Sequence, residues 1–325
     1  MSLSDFTDWL LTARTPSIRY LTLRDLLGRP EADTDVQVAR QEMRTTGPIP
    51  AILAKQTKAG HWAGERSYYT PKYTSTHWSM QLLAELAADT DDPGLRRGAA
   101  FMLAATQEEL DRAITEGAHG LSCFWGNLLR YALHSGFADH PSTEAIVHCL
   151  AHDAREGGWR CHHNDELPCA WGAARALWGL AALPPLHHTS EAEAAIRLGV
   201  AFVLGSHHLV EADYPSSGRV HPLWFRLNFP LFYQADILFV LRVLVALGAL
   251  DHPGARPALE WLIARRKRDG HWRGANPFKR RTWQMLGDSD ETDRWVSLQA
   301  AIILQEVSRQ GKGEVTPLVE TREPG

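Results

Sequence analysis

The segment Leu86-Ala87-Ala88-Asp89-Thr90-Asp91-Asp92-Pro93-Gly94-Leu95-Arg96-Arg97-Gly98-Ala99-Ala100-Phe101 decides the fold of this 325-residue chain. A leucine-rich helix runs out at the Asp cluster, a short Asp/Pro turn follows, and an alanine-rich helix starts behind Pro93. Asp caps a helix by accepting from its free N–H groups, and Pro fits the first helical position, where its missing N–H is no loss. The same grammar returns in LLGRPEADTDVQVAR from residue 26, LHSGFADHPSTEAIVH from residue 133 and LGALDHPGARPALEWL from residue 247. These four hairpins read as copies of one unit that recurs about every 45 to 60 residues, a spacing typical of repeat architectures.

Outward from that hairpin, apolar residues recur with helical period and almost nothing alternates as a strand would. The pattern predicts helices over 4–13, 17–27, 35–56, 76–88, 94–106, 123–136, 142–154, 169–182, 190–206, 231–248, 254–267 and 294–309, about twelve in six antiparallel pairs. Each pair buries one face only against its neighbours, so an open row would leave two apolar ends exposed; a ring removes both. The expectation is an all-α fold, an (α/α)6-type toroid forming one domain over 1–310, followed by a frayed tail from Gly311 to Gly325. The leucine- and aromatic-rich helices 17–27, 76–88, 123–136, 169–182, 231–248 and 294–309 would face the axis.

Composition narrows the partners. With 44% hydrophobic and 22% charged residues the chain can bury a sizeable core. A net charge of -4 argues against nucleic acid, which calls for a basic excess. The start, MSLSDFTDWLLTAR, has no basic leader region, and no apolar run approaches the roughly 18 residues of a membrane span. A cytoplasmic protein without a transmembrane segment is expected, with peripheral membrane contact left open. Cys123, Cys149, Cys161 and Cys169 then read as thiols or metal ligands rather than a disulfide framework. Twelve tryptophans either fill a large core or line a cavity.

Three outer helices exit through a Gly-x-Trp turn: Gln56-Thr57-Lys58-Ala59-Gly60-His61-Trp62, Gly157-Gly158-Trp159, and Arg266-Lys267-Arg268-Asp269-Gly270-His271-Trp272. Gly lets the chain turn, the Trp ring packs over the helix end, and the Gln amide can satisfy terminal backbone groups. The first copy resembles the Gln-x-x-x-Gly-x-Trp repeat of squalene-hopene cyclase and its relatives, with Asp153 and Arg266 standing for Gln in the other two. The chain as a whole is similar to single-ring bacterial relatives of the terpenoid cyclase and protein prenyltransferase superfamily.

That resemblance implies an acid, an aromatic lining and an apolar substrate. Class II cyclases protonate an olefin with the middle Asp of Asp-x-Asp-Asp. Asp89-Thr90-Asp91-Asp92 matches by letter but reads as a cap, whereas Asp290, in Asp288-Ser289-Asp290-Glu291-Thr292, precedes an inner helix. Asp236 puts a lone carboxylate in the apolar helix 231–248, where burial would raise its pKa and make it a candidate acid; the alternative is a buried Asp satisfied by Arg242, Arg226 or backbone. His77, at the start of another inner helix, is a candidate acid-base group or a capping or hydrogen-bonded core His. Trp78, Trp125, Trp171, Tyr233 and Trp295 should encircle one mouth of the ring, either to hold an isoprenoid through cation–π attraction or to fill core.

Cys123 and Cys169 open adjacent inner helices, and Cys161, His162 and His163 lie in the loop between them. Together they could form a tetrahedral zinc site; small packed thiols are the plainer reading, and Cys149 is core. Protein prenyltransferases carry zinc at a comparable rim, and Cys123 resembles their Cys by position. His187-His188 and His207-His208 read as surface, and the basic runs Arg265-Arg266-Lys267-Arg268 and Lys279-Arg280-Arg281 either as solvated faces or as holders of a diphosphate or lipid headgroup. Three functions stay open: a terpenoid-cyclase-like or prenyl-transfer-like enzyme with Asp236 or Asp290 as acid; a non-catalytic ring that binds a hydrophobic small molecule or peptide; and a zinc-dependent transferase with Cys123, Cys161 and Cys169 as ligands.

Overall fold

A computed structural model describes residues 3–64, 67–117, 121–155, 158–206 and 216–310; the tail from Gly311, His207-His208 and Gly157 fall outside them. The described chain is all-α apart from a pair of two-residue strands, β1 (Arg160–Cys161) and β2 (Leu167–Pro168), paired antiparallel. The helices are α1 (Leu3–Leu11), α2 (Pro16–Leu21, continued by a π turn over Thr22–Leu26), α3 (Thr34–Thr45), α4 (Pro48–Leu53), α5 (Thr76–Glu85), α6 (Pro93–Ala105) and α7 (Gln107–Glu116). There follow α8 (Ser122–His134), α9 (Pro141–Arg155), α10 (Ala170–Leu180), α11 (Ser190–Val200), α12 (Ile237–Ala246), α13 (Arg256–Ala264) and α14 (Ser289–Arg309).

Most breaks are local chemistry. Asp33, Asp92 and Asp288 each cap the following helix, accepting from the N–H of Asp35 (2.9 Å), Gly94 (2.7 Å) and Asp290 (2.9 Å). Asp89 does something else: it joins Arg40 (2.8 Å) and Nε of Arg44 (2.8 Å), tying the α5–α6 turn to α3. Burial would raise that carboxyl, yet the two guanidinium groups hold it down at about 2.

Three boundaries differ from the periodicity. The helix expected over 35–56 breaks at Gly47 (φ 83), where a side chain would strike Cδ of Pro16 at 2.8 Å. The helix expected from 231 begins only at Ile237, because Asp236 takes the cap position and the residues before it run non-helically. Helix α7, which the periodicity had not separated from loop, packs against α9.

The Gly-x-Trp turns act as staples. Indole Nε1 of Trp62, Trp159 and Trp272 donates to the carbonyls of Ile52 (2.8 Å), Leu150 (3.1 Å) and Leu262 (2.8 Å), each at the end of the preceding outer helix. Gln56 donates to the carbonyls of Gly60 (2.9 Å) and Gly94 (2.8 Å), and Arg266, standing in its place, donates to Gly270 (3.0 Å). Each turn also reaches the next inner segment: Trp62 N–H donates to Thr76 Oγ1 (3.0 Å), Trp272 N–H to Ser297 Oγ (2.9 Å), and Cys169 N–H to the Trp159 carbonyl (3.1 Å). One tryptophan thus closes one hairpin and anchors the next, which is why it repeats.

The helices expected to face an axis pack in order: α5 on α8, α8 on α10, α10 on α12 and α12 on α14. The α8–α10 contact is the tightest, since a Cβ on Gly126 would lie 2.2 Å from the Arg175 carbonyl and one on Gly179 2.5 Å from that of Gly126. The last helix, α14, packs against α2 and its π turn, and Gln305 donates to the Leu26 carbonyl at 2.8 Å. The two ends of the described chain therefore meet.

Candidate functional site

Near the N-terminal ends of the inner helices the space is filled. Trp78, Trp125 and Trp295 are buried, while Trp171 and Tyr233 are partly exposed. Trp78 packs on Tyr69 (4.6 Å) and Phe232 (5.6 Å), Trp295 stacks on Phe229 (4.1 Å), and Trp171 meets His221 (5.1 Å) and Tyr233 (6.1 Å). The non-helical segment ahead of α12 supplies Phe229 and Phe232, so of the two readings of these aromatics, ligand lining and core filling, the packing here is that of core.

His77 lies in this layer. Its Nδ1 is 3.2 Å from the Tyr131 hydroxyl, its ring stacks on Phe124 at 4.5 Å, and Nε2 has no partner. Burial, helped by the nearby Arg175 charge, pushes its pKa down to about 3. The ring is neutral at physiological pH.

Asp236 is buried, and both carboxylate oxygens are engaged. Oδ2 accepts from the backbone N–H and Nδ2 of Asn228, both at 2.8 Å, and Oδ1 from the Phe239 N–H at 2.8 Å. Burial raises its pKa to about 6 in spite of these bonds. The space beside it is about 10 Å³, too little for an organic substrate. Asp290 is exposed on the first turn of α14, where Oδ2 accepts from Arg294 at 3.0 Å. Its neighbour Glu291 receives the N–H groups of Arg14 (2.9 Å) and Thr15 (2.7 Å), so the acidic segment fastens the N-terminal turn to α14.

Cys161 and Cys169 share a hydrogen bond beside the β1–β2 pair, which pulls the Cys161 thiol down and pushes Cys169 up. Cys169 also caps α10, accepting from the Gly172 N–H at 3.4 Å. Burial raises Cys123 to about 11. His162 and His163 are exposed, with their rings 4.0 Å apart. Among the described residues, no group of three or more His, Cys, Asp or Glu side chains is placed to hold a metal ion.

The open space lies further along the inner helices, toward their C-terminal halves. A cavity of about 380 Å³ is lined from every one of them: Arg24 beyond α2, Gln81 and Glu85 on α5, Arg130 and Tyr131 on α8, Arg175 and Trp178 on α10, Arg242 on α12 and Gln299 on α14. None of the sequence-selected site residues lines it. Its walls are mixed: Leu21, Val245, Ile302 and Ile303 line it beside the arginines and Glu85, so charge is set into a partly apolar surface.

Three guanidinium groups face one interior carboxylate. Arg242 donates from Nη1 to Glu85 at 2.6 Å. Burial alone would raise Glu85, but the arginines outweigh it and hold the carboxyl below its ordinary range. Arg175, 2% exposed, donates from Nε to the Gln234 carbonyl at 3.0 Å and lies 3.8 Å over Phe239. Arg130 lies 3.9 Å over Trp178. Among the described residues no carboxylate pairs with Arg130 or Arg175. Desolvation lowers both, Arg130 to about 10 and Arg175 to about 9.

Arg130 and Arg175 carry no expectation from the sequence, and Arg242 enters there only as a partner for Asp236, which the structure does not pair with it. The signal was present as a lone Arg in an apolar helix, three times over: Leu128-Leu129-Arg130-Tyr131-Ala132, Ala173-Ala174-Arg175-Ala176-Leu177 and Val240-Leu241-Arg242-Val243-Leu244. Compared with protein-family models, with curated proteins and with solved structures, the chain matches none. Among the described residues no helix is long and apolar enough to cross a membrane.

Proposed function

We propose that the helical hairpins close into a ring of the (α/α)6 kind and that its central cavity binds a small anionic molecule. The ring reading is supported by the order of inner-helix contacts, by α14 packing on α2, and by one cavity lined from six inner segments. The anion reading is carried by one observation: Arg130, Arg175 and Arg242 converge on a cavity whose interior acid, Glu85, is already taken by Arg242. Of the three, Arg175 is buried and has no carboxylate partner among the described residues; a buried cation without a counter-ion costs on the order of several kcal/mol, and a bound anion lowers that cost.

The terpenoid-type reading draws its support from the Gly-x-Trp turns, which here are structural staples, and it would need an apolar chamber. Asp236 offers a proton but has no substrate-sized space beside it. A hydrophobic ligand entering the same cavity would have to desolvate Arg130, Arg175 and Arg242, and zinc chemistry has no assembled ligand set among the described residues. Ligand binding by the arginine cavity is therefore the conclusion, with no catalytic step attached.

Thermal unfolding of the full chain in sodium phosphate and in sodium chloride of equal ionic strength tests it. Phosphate should raise Tm by several degrees over chloride. Equal Tm values across millimolar phosphate would overturn the proposal.

A further inference from the structure

Resting on that anion-binding reading, we infer that the ligand is a small dianion, a dicarboxylate or a phosphate group, gripped by the guanidinium fork of Arg130 with Arg175 beside it. The charge count sets the number. Three arginines and one glutamate line the interior, Arg242 is neutralised by Glu85, and two positive charges remain without an internal partner. Arg24, at the rim, is already matched by Asp25 at 2.6 Å. A single negative charge on the ligand would leave one of these two arginines unpaired; two would pair both.

Geometry sets the shape of the ligand. Of the aromatic side chains lining the cavity, Trp178 is covered by guanidinium groups, Arg130 at 3.9 Å and Arg242 at 5.2 Å. A flat ligand would have to displace them to stack on that indole. A guanidinium with unpaired N–H groups is the side chain suited to bidentate recognition of carboxylate or phosphate. No donor of Arg130 has a partner among the described residues, whereas Arg175 uses Nε and Nη2 on the Gln234 carbonyl and Arg242 uses Nη1 on Glu85. The intact fork of Arg130 is the anchor, and the remaining edges of the other two complete the set. At about 380 Å³ the cavity falls at the small end of ligand sites.

Calorimetric titration of the full chain at pH 7.5 and constant ionic strength, with acetate, succinate and inorganic phosphate as probes, separates the possibilities. At least one dianion should bind roughly thirtyfold more tightly than acetate, the value of one charge-assisted hydrogen-bonded pair. Preference for succinate identifies a dicarboxylate, preference for phosphate a phosphate group, and equal binding of both a site that reads charge alone. Arg130→Gln should bring dianion affinity down to that of acetate, while Arg130→Lys, which keeps the charge and loses the fork, should weaken the dianion about tenfold and keep it ahead of acetate. Acetate within threefold of both dianions, or undiminished dianion binding by Arg130→Gln, overturns the inference while leaving the anion site standing. If none of the three probes binds, the anion reading itself falls.

Discussion

Nη1 of Arg242 donates to Oε1 of Glu85 at 2.6 Å, a pair formed between α12 and α5 across the cavity rather than along one helix. Glu85 carries the negative charge that lets three arginines share this space. Glu85→Gln should destabilise the free protein by about 3 to 5 kcal/mol at low ionic strength, because it leaves Arg242 as uncompensated as the other two. Phosphate should recover part of that loss and raise Tm more than in the wild type. Denaturant titrations with and without phosphate would measure this, and an unchanged midpoint would refute it.

Trp272 separates the two roles of the staple. Its indole is fully buried and donates to the Leu262 carbonyl at 2.8 Å. Trp272→Phe keeps most of the packing and loses the hydrogen bond, so it should cost about 1 to 2 kcal/mol. Trp272→Ala also opens a cavity and should cost about 3 to 5 kcal/mol. Similar losses for the two variants, read by chemical denaturation, would show that the ring does not fill space as described.

His77 predicts a pH dependence with a definite sign. In the unfolded chain it takes a proton near 6.5, whereas burial holds it neutral in the folded chain down to about 3. The unfolded state thus binds more protons in this window, and the contribution of His77 to stability falls as pH drops through it, by about 3 kcal/mol between pH 7 and 4. Asp236 acts in the opposite sense: its pKa, raised from 3.8 to about 6, favours the folded state as pH falls through that range. The wild-type profile therefore mixes both. His77→Gln removes the first contribution alone, and its stability should decline less from pH 7 to 4 than that of the wild type. Parallel profiles would refute the assignment.

Much of the architecture was legible locally. Helical periodicity, Asp caps before Pro or a charged first turn, and the Gly-x-Trp turns all depend on neighbours within a few residues or one hairpin, and the helices appear close to where they were expected. Where the reading slipped, a local rule had been outranked. Leu231, Phe232 and Tyr233 have the composition of an inner helix, but the buried Asp236 cap and its bonds to Asn228 hold the chain before Ile237 out of helix. Cys123 and Cys169 stand at helix starts and Cys161 in the loop between them, which the sequence shows, whereas the exposure of His162 and His163 does not follow from it, because a loop's direction is set by what it packs on.

By itself the sequence determined a helical chain of hairpins, their caps and the tryptophan staples, since each of these is settled by backbone hydrogen bonding and apolar periodicity over short range. Only the tertiary structure decided where the empty space lies and what charge lines it. Arg130, Arg175 and Arg242 are far apart in the chain and unremarkable one at a time. Their convergence depends on the rotation and axial offset of three inner helices, which packing fixes, as where Gly126 lets α8 and α10 touch. The same packing buried Trp78, Phe232 and Trp295 against one another and their neighbours, so these aromatic residues are core while the arginines line the cavity.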